Sequence, residues 1–417
     1  MRTASLTALV GFVVLALVQP ASALVWTIET VDHPSNANVG DGSSIALDSA
    51  GRPHIAYRDS IHNLVKYARK KADGTWTIET VEIAGFVSSS VSLALDSAGV
   101  PHIVYYSGPG ITNPAHLRHA SRSCFVIWCS WDKETVRAGV FSPSSAGNTS
   151  ATFDSQGILN VSYFDHTAGQ LKWAKKTGGA WSIANVVATA GGAASLALDA
   201  DNFPHLAVSD SRAGSVSYAR VICVFILLCG WNLSPVDTDT AGTLRLDLSG
   251  QPHLSYAQRT TIRYASGTCP GNDPCTWALE TVGVANADIQ RPPTLALDPC
   301  SAHIAFLRQR GPGVADLVYA KRVGTTWNVE VADLDASSTV IISLTLDNRY
   351  LPHISYQGTT GPGRALKYAT AGFQSSAARR RPLETPPTPA PGLVSPSSAP
   401  RTLLERPMLA ADCGLSQ

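Results

Sequence analysis

Apolar and polar residues alternate along this chain in short runs, and the runs recur. The first, Val25-Trp26-Thr27-Ile28-Glu29-Thr30-Val31, returns almost unchanged as Thr75-Trp76-Thr77-Ile78-Glu79-Thr80-Val81 and again as Thr276-Trp277-Ala278-Leu279-Glu280-Thr281-Val282. Alternation of this length predicts a β-strand with one face on a core. Tryptophan marks the run seven times, at Trp26, Trp76, Trp131, Trp181, Trp231, Trp277 and Trp327, about every 50 residues. A second run has a related period and reads Ser44-Ile45-Ala46-Leu47-Asp48-Ser49-Ala50-Gly51-Arg52-Pro53-His54-Ile55-Ala56-Tyr57. Its Asp returns at Asp96, Asp154, Asp199, Asp247, Asp298 and Asp347. Self-similarity at this period marks a propeller, a solenoid or an array.

One unit predicts four strands. Strand a is Ser44 to Leu47, and Asp48-Ser49-Ala50-Gly51 makes a tight turn in which Asp accepts amide hydrogens and Gly takes positive φ. Strand b is His54 to Arg58, entered through Pro53. Strand c is Leu64 to Ala68, and a turn at Ala72-Asp73-Gly74 leads to strand d, Trp76 to Val81. Strand c carries an aromatic or His and then Ala in every unit: Tyr67-Ala68, His119-Ala120, Trp173-Ala174, Tyr218-Ala219, Tyr264-Ala265, Tyr319-Ala320 and Tyr368-Ala369. Several strands are apolar on both faces, as expected when both faces pack on neighbours.

The first tryptophan precedes the first Asp motif, and no tryptophan follows the last. Seven complete units therefore exist only if Val25 to Val31 supplies the outer strand of the final unit. That offset closes a ring, whereas an open solenoid would want polar caps. The fold class predicted is all-β: a seven-bladed β-propeller over residues 24–370, four antiparallel strands per blade, closed by the N-terminal strand.

The flanks read differently. Arg2, an apolar stretch from Leu6 to Val18 and Pro20-Ala21-Ser22-Ala23 predict a signal peptide over residues 1–23, hence a secreted protein, extracellular or periplasmic. The apolar stretch is shorter than the ~20 residues of a spanning helix. Residues 371–417 are rich in Pro, Ser and Ala and are expected to be a disordered tail.

Composition narrows the partners. The chain is 44% hydrophobic and 15% charged with a net charge of +1, which gives no electrostatic case for nucleic acid or an anionic membrane. A monomer is expected, with no cofactor and no metal. Cysteines agree with export: Cys124 with Cys129, Cys223 with Cys229 and Cys269 with Cys275 lie just before repeat tryptophans and predict three hairpin disulfides. None has a zinc-like CxxC spacing. Cys300 and Cys413 remain, paired or free.

In its blade-like repeats the chain resembles bacterial secreted propellers of the sialidase-like, BNR-repeat type. The resemblance is architectural and covers roughly residues 24–370. The family's Asp box, Ser-x-Asp-x-Gly-x-x-Trp, lies between strands c and d. The Asp turn of this chain lies between a and b, and no Phe-Arg-Ile-Pro run or arginine triad with a Tyr/Glu pair is found. No catalytic residue is carried over.

Residues present in every unit are explained by what every unit needs. The histidines His54, His102, His205, His253, His303 and His353 are assigned a hydrogen bond to the repeat Asp, and the seven Asp residues turn capping. Function is sought where units differ. In a propeller the d–a and b–c connections share the usual binding face. Ligand-binding candidates on that face are Asp59, Asp165, His166, Asp210, Arg212, Arg259, Arg308, Arg310 and Arg364. Arg245 stands where other units have Ala or Thr on the strand expected to line the channel. The reading is a non-catalytic binding module for a glycan or protein. The alternative is a glycoside hydrolase or lyase using carboxylates at the channel mouth. On the opposite face two stapled hairpins have apolar tips, with Phe125, Trp128, Phe225 and Leu227 as partner-docking candidates.

Overall fold

The computed structural model describes residues 24–35, 38–110, 115–126, 128–141, 149–188, 194–210, 213–224, 228–238, 240–284, 292–338, 341–360 and 363–373. The predicted signal segment, Arg212, Phe225, Leu227, Cys413 and all but the first three residues of the predicted tail lie outside them.

All elements among these residues are β-strands, 28 in chain order. The first, β1 (Leu24–Asp32), stands apart from the next four. The first unit is β2 (Val39–Leu47), β3 (Pro53–Asp59), β4 (Leu64–Lys70) and β5 (Trp76–Ile83). The second is β6 (Phe86–Leu95), β7 (Pro101–Gly108), β8 (Ala115–Phe125) and β9 (Trp128–Phe141). The third is β10 (Thr149–Phe153), β11 (Leu159–Asp165), β12 (Gln170–Thr177) and β13 (Ala180–Ala188). The fourth is β14 (Ala194–Leu198), β15 (Pro204–Asp210), β16 (Ser215–Val224) and β17 (Leu228–Thr238). The fifth is β18 (Thr240–Leu246), β19 (Pro252–Gln258), β20 (Thr261–Thr268) and β21 (Thr276–Val284). The sixth is β22 (Thr294–Leu297), β23 (Ala302–Gly311), β24 (Val314–Val323) and β25 (Thr326–Ala336). The last is β26 (Ser343–Leu346), β27 (Pro352–Thr360) and β28 (Gly363–Phe373).

Units one to five are four-stranded antiparallel sheets in chain order. The sixth and last share one eight-stranded sheet, joined at Ala336 and Gly358. β1 pairs antiparallel with β28, Leu24 opposite Phe373 and Asp32 opposite Leu366. The strand reaches Phe373, three residues past the expected boundary at 370. This architecture of repeated antiparallel sheets is consistent with a β-propeller.

Three layers of contact join successive units. Innermost, a Ser Oγ on the first strand of one unit accepts the backbone N–H of the next: Ser44 from Leu93, Ser92 from Ala151, Ser150 from Leu196, Ser195 from Leu244, and Ser343 from Ile45. These N–H groups belong to first strands, which are sheet edges, so the hydroxyl offsets a desolvation cost. In the middle, a strand-b tyrosine donates to a carboxylate of the preceding fourth strand: Tyr57 to Asp32, Tyr105 to Glu82, Tyr256 to Asp237 and Tyr356 to Asp333. Outermost, each repeat tryptophan packs edge-on against the strand-c aromatic of the preceding unit. The pairs are Trp76 on Tyr368, Trp131 on Tyr67, Trp181 on His119, Trp231 on Trp173, Trp277 on Tyr218, Trp327 on Tyr264 and Trp26 on Tyr319. Edge-to-face rings satisfy their quadrupoles as well as burying area.

The Asp turns form as the sequence implies. Asp48 Oδ1 accepts from the amides of Ala50 and Arg52, both at 2.9 Å, and Gly51 takes φ 73°. Asn202 and Tyr350 hold the same left-handed position without glycine. The expected His–Asp bond is tight only in part: His303 lies 2.8 Å and His205 3.2 Å from their Asp, His54 3.6 Å. The stronger partner is the strand-c tyrosine. Nδ1 of His54, His253, His303 and His353 lies 2.5 Å from the hydroxyl of Tyr67, Tyr264, Tyr319 and Tyr368. His205 pairs with Tyr218 in the same way. In the third unit, Asn160 replaces His, Trp173 replaces Tyr, and the indole N–H donates to Asn160 at 3.0 Å. The polar link survives because both partners change together.

The three predicted disulfides form, at Cys124–Cys129, Cys223–Cys229 and Cys269–Cys275. Cys300 is disulfide-bonded as well. Such bonds point to an oxidising compartment. No helix among the described residues is long and apolar enough to cross a membrane.

Burial lowers His54 and His102 to about 4, and lowers the other strand-b histidines too. The folded chain keeps these rings neutral, while the unfolded chain binds protons below about 6.5. Stability is therefore full above pH 6.5 and falls as the pH drops from 6.5 towards 4. Urea midpoints across this window should decline steadily. His54→Asn with Tyr67→Trp, the third unit's own pair, should flatten part of that slope.

Candidate functional site

The three candidate carboxylates hold equivalent places, at the ends of β3, β11 and β15, where strand b turns into strand c. Each is bound to its own turn. Asp59 is buried, accepts from the amides of Ile61 and His62, and lies 2.7 Å from His62 Nδ1. Asp165 is also buried; it accepts from the Ala168 amide at 2.9 Å and pairs with Lys172 at 2.8 Å. Asp210 accepts from the Ala213 amide at 3.1 Å. In all three the carboxylate's hydrogen bonds to its own turn hold the side chain in place.

The candidate bases are spread over several contacts. Arg308 and Arg310 both converge on Asp316, each at 2.7 Å. Asp316 is buried on β24, and nothing in the sequence singled it out. Arg310 also donates to the Leu334 carbonyl, and Arg364 to the Ser337 hydroxyl. Arg259 sits in the β19–β20 turn at φ 53° and borders a recess with Gln258 and Thr238. His166 stacks edge-on against Phe164 at 4.7 Å, and burial lowers it to about 4. Arg212 lies outside the described residues. The three described recesses are lined by other residues and include none of Asp59, Asp165 and Asp210.

A different place gathers all seven units. A cavity of about 530 Å³ is lined by the first strands β2, β6, β10, β14, β18 and β26 and by Pro292 and Thr294 at the start of β22. This volume suits a small ligand. Four residues before each repeat Asp stand Ser44, Ser92, Ser150, Ser195, Thr243, Thr294 and Ser343. All seven line the cavity. The sequence carried this signal, but it appears only when the units are aligned on their Asp.

Arg245 breaks the symmetry of that lining. It stands two residues before Asp247, where other units carry Ala46, Ala94, Thr152, Ala197, Ala296 and Thr345. It is among the residues that line the cavity, and Nη1 donates to the Leu244 carbonyl at 2.8 Å. Burial alone pushes the guanidinium down to about 10. No carboxylate among the described residues pairs with it.

On the β8–β9 hairpin the apolar tip is exposed. Phe125 is 81% and Trp128 78% accessible, and Val126 beside them takes φ 58°. Phe225 and Leu227, on the corresponding hairpin of the fourth unit, lie outside the described residues. Among the described residues no group of three or more His, Cys, Asp or Glu is placed to hold a metal ion.

No protein-family model matches the chain. No curated protein matches it either. Solved structures do. Virginiamycin B lyase from Staphylococcus aureus superposes with a TM-score of 0.51 at 11% identity, over 84% of this chain and 99% of the lyase. NanB sialidase from Streptococcus pneumoniae gives 0.47 at 11%, over 83% and 70%. AofleA from Arthrobotrys oligospora gives 0.46 at 13%, over 74% and 89%. At such identities the likeness to the lyase bears on the fold alone.

Asp316 offers a test of whether these arginines are scaffold. Asp316→Asn removes the buried carboxylate that both half-exposed arginines share and should cost about 1–3 kcal/mol in urea unfolding. Arg310→Ala, whose side chain is 44% exposed, should cost less than about 1 kcal/mol.

Proposed function

We propose that the chain is a seven-bladed propeller whose last blade is completed by β1, and that it is a secreted, non-catalytic module binding a glycan. The cyclic order of the tryptophan contacts supports the ring: every unit's tryptophan rests on the unit before it, and the series is complete only with Trp26 on Tyr319. In such a ring the seven first strands surround the axis, and the cavity they line is the central channel.

The hydroxyl lining of that cavity carries the binding reading. Sugars are recognised by hydrogen bonds to many hydroxyl groups, and seven Ser or Thr side chains offer both donors and acceptors in one concave site. The b–c turns Asp59, Asp165 and Asp210, with Arg259, stand on the face through which a ligand would enter. Their turn-capping bonds favour a rim that positions a ligand over one that cleaves it.

A glycan array and a chromogenic glycoside screen on the purified chain test the reading together. Retention of a glycan with no hydrolysis is expected, and Ser92→Val with Ser150→Val should weaken retention. Hydrolysis that Asp165→Asn abolishes would replace the module with a hydrolase. Binding to a protein surface with no glycan retained would also overturn it.

A further inference from the structure

The cavity's polar groups are not evenly balanced between donors and acceptors. Ser44, Ser92, Ser150, Ser195 and Ser343 each accept a backbone N–H from the neighbouring first strand. That bond occupies a lone pair and leaves the hydroxyl hydrogen to be donated. None of these five hydroxyls donates to another described group. A hydroxyl that accepts one hydrogen bond donates the next one more strongly. The inner strands thus turn a ring of O–H donors towards the cavity.

Arg245 adds a positive charge to the same lining. It lies two residues along β18 from Thr243, about 7 Å at the usual rise of a strand. The cavity has no described carboxylate in its lining. A guanidinium in a partly dry site without a counter-ion is costly to keep, and an oxyanion restores the balance with charge-assisted bonds. Ala at four equivalent positions in other units, Ala46, Ala94, Ala197 and Ala296, leaves room around it.

We infer that this cavity is a binding site for a small oxyanion, a carboxylate or sulfate group, held by the Arg245 guanidinium and the donor hydroxyls of Ser195, Ser150 and their neighbours. The inference deepens the glycan-binding reading by giving the ligand an acidic group, but free-anion binding stands without it. The ligand class is set by the donors: neutral hydroxyls alone would suit a neutral sugar, and a guanidinium that no carboxylate among the described residues pairs selects against one.

The experiment uses the full mature chain and two variants, Arg245→Ala and Arg245→Lys. Ala is the residue most other units carry at this place, so the Ala variant should fold; circular dichroism and urea unfolding check it. Sodium sulfate and sodium acetate are titrated calorimetrically at low millimolar concentration, with chloride matching the ionic strength. Saturable binding of one of the two is expected, weakened roughly tenfold or more in Arg245→Ala and retained in part in Arg245→Lys. The preferred probe tells a tetrahedral from a planar oxyanion. Equal binding in Arg245→Ala, or no saturable binding to either probe, overturns the site. Should the Ala variant not fold, the Lys variant decides: unchanged affinity for both probes would contradict a role for the guanidinium's paired N–H groups. Anion binding without any glycan retention would remove the glycan module and leave the anion site. Retention of neutral glycans without anion binding would do the reverse.

Discussion

The pairing of β1 with β28 is the interaction on which the other contacts depend. Nine residues from one end of the described chain lie against the last strand at its other end, Leu24 opposite Phe373. The same short strand supplies three further partners. Trp26 covers Tyr319 of the sixth unit. Glu29 accepts from Trp76 Nε1 and Lys70 of the first unit. Asp32 accepts from the Tyr57 hydroxyl and pairs with Lys66. Three units in two sheets meet at one segment, so its loss would expose a tryptophan site, a buried tyrosine and a buried lysine at once. Gly40 lies at the same seam, where a Cβ would come within 2.9 Å of Leu366 Cα. The approach of β2 to β28 needs a residue without a side chain, and φ 92° needs glycine as well.

The repeated chemistry of the unit is spent on its own turns and on its neighbours. The Asp caps its turn, the His links strands b and c through a tyrosine, and the tryptophan rests on the unit before. These roles leave few polar groups for a ligand. The candidate carboxylates fall into the same class, since Asp59, Asp165 and Asp210 each close a b–c turn. The lining of the cavity differs: its hydroxyls satisfy edge-strand amides and still have a hydrogen to give. Arg245 is the departure from symmetry within that lining.

Much of the fold was legible because its determinants are local. A turn needs Asp and Gly at fixed offsets, and alternation marks a strand, so the first unit's strands fall within a few residues of β2 to β5. The disulfides were legible because both cysteines of each pair sit near one hairpin. Contacts between units were not. The His–Tyr bond joins strands b and c at matching heights, which requires knowing register. The capture of Arg308 and Arg310 by Asp316 depends on two strands lying side by side. The hydroxyls of the cavity are spread over seven units, one residue in each, and gain meaning only when the first strands come together. The apolar tip at Phe125 and Trp128 was read from composition, and its exposure agrees with a surface feature.

Ring closure is tested most directly by removing the closing strand and returning it. A chain begun at His33 is compared with one begun at Leu24 by thermal unfolding, alone and with a synthetic peptide of residues 24–32. If β1 completes the last blade, the shortened chain melts at a clearly lower temperature and the peptide restores much of the loss. Unchanged melting on deletion, or no response to the peptide in a destabilised chain, would contradict a ring closed by its own first strand.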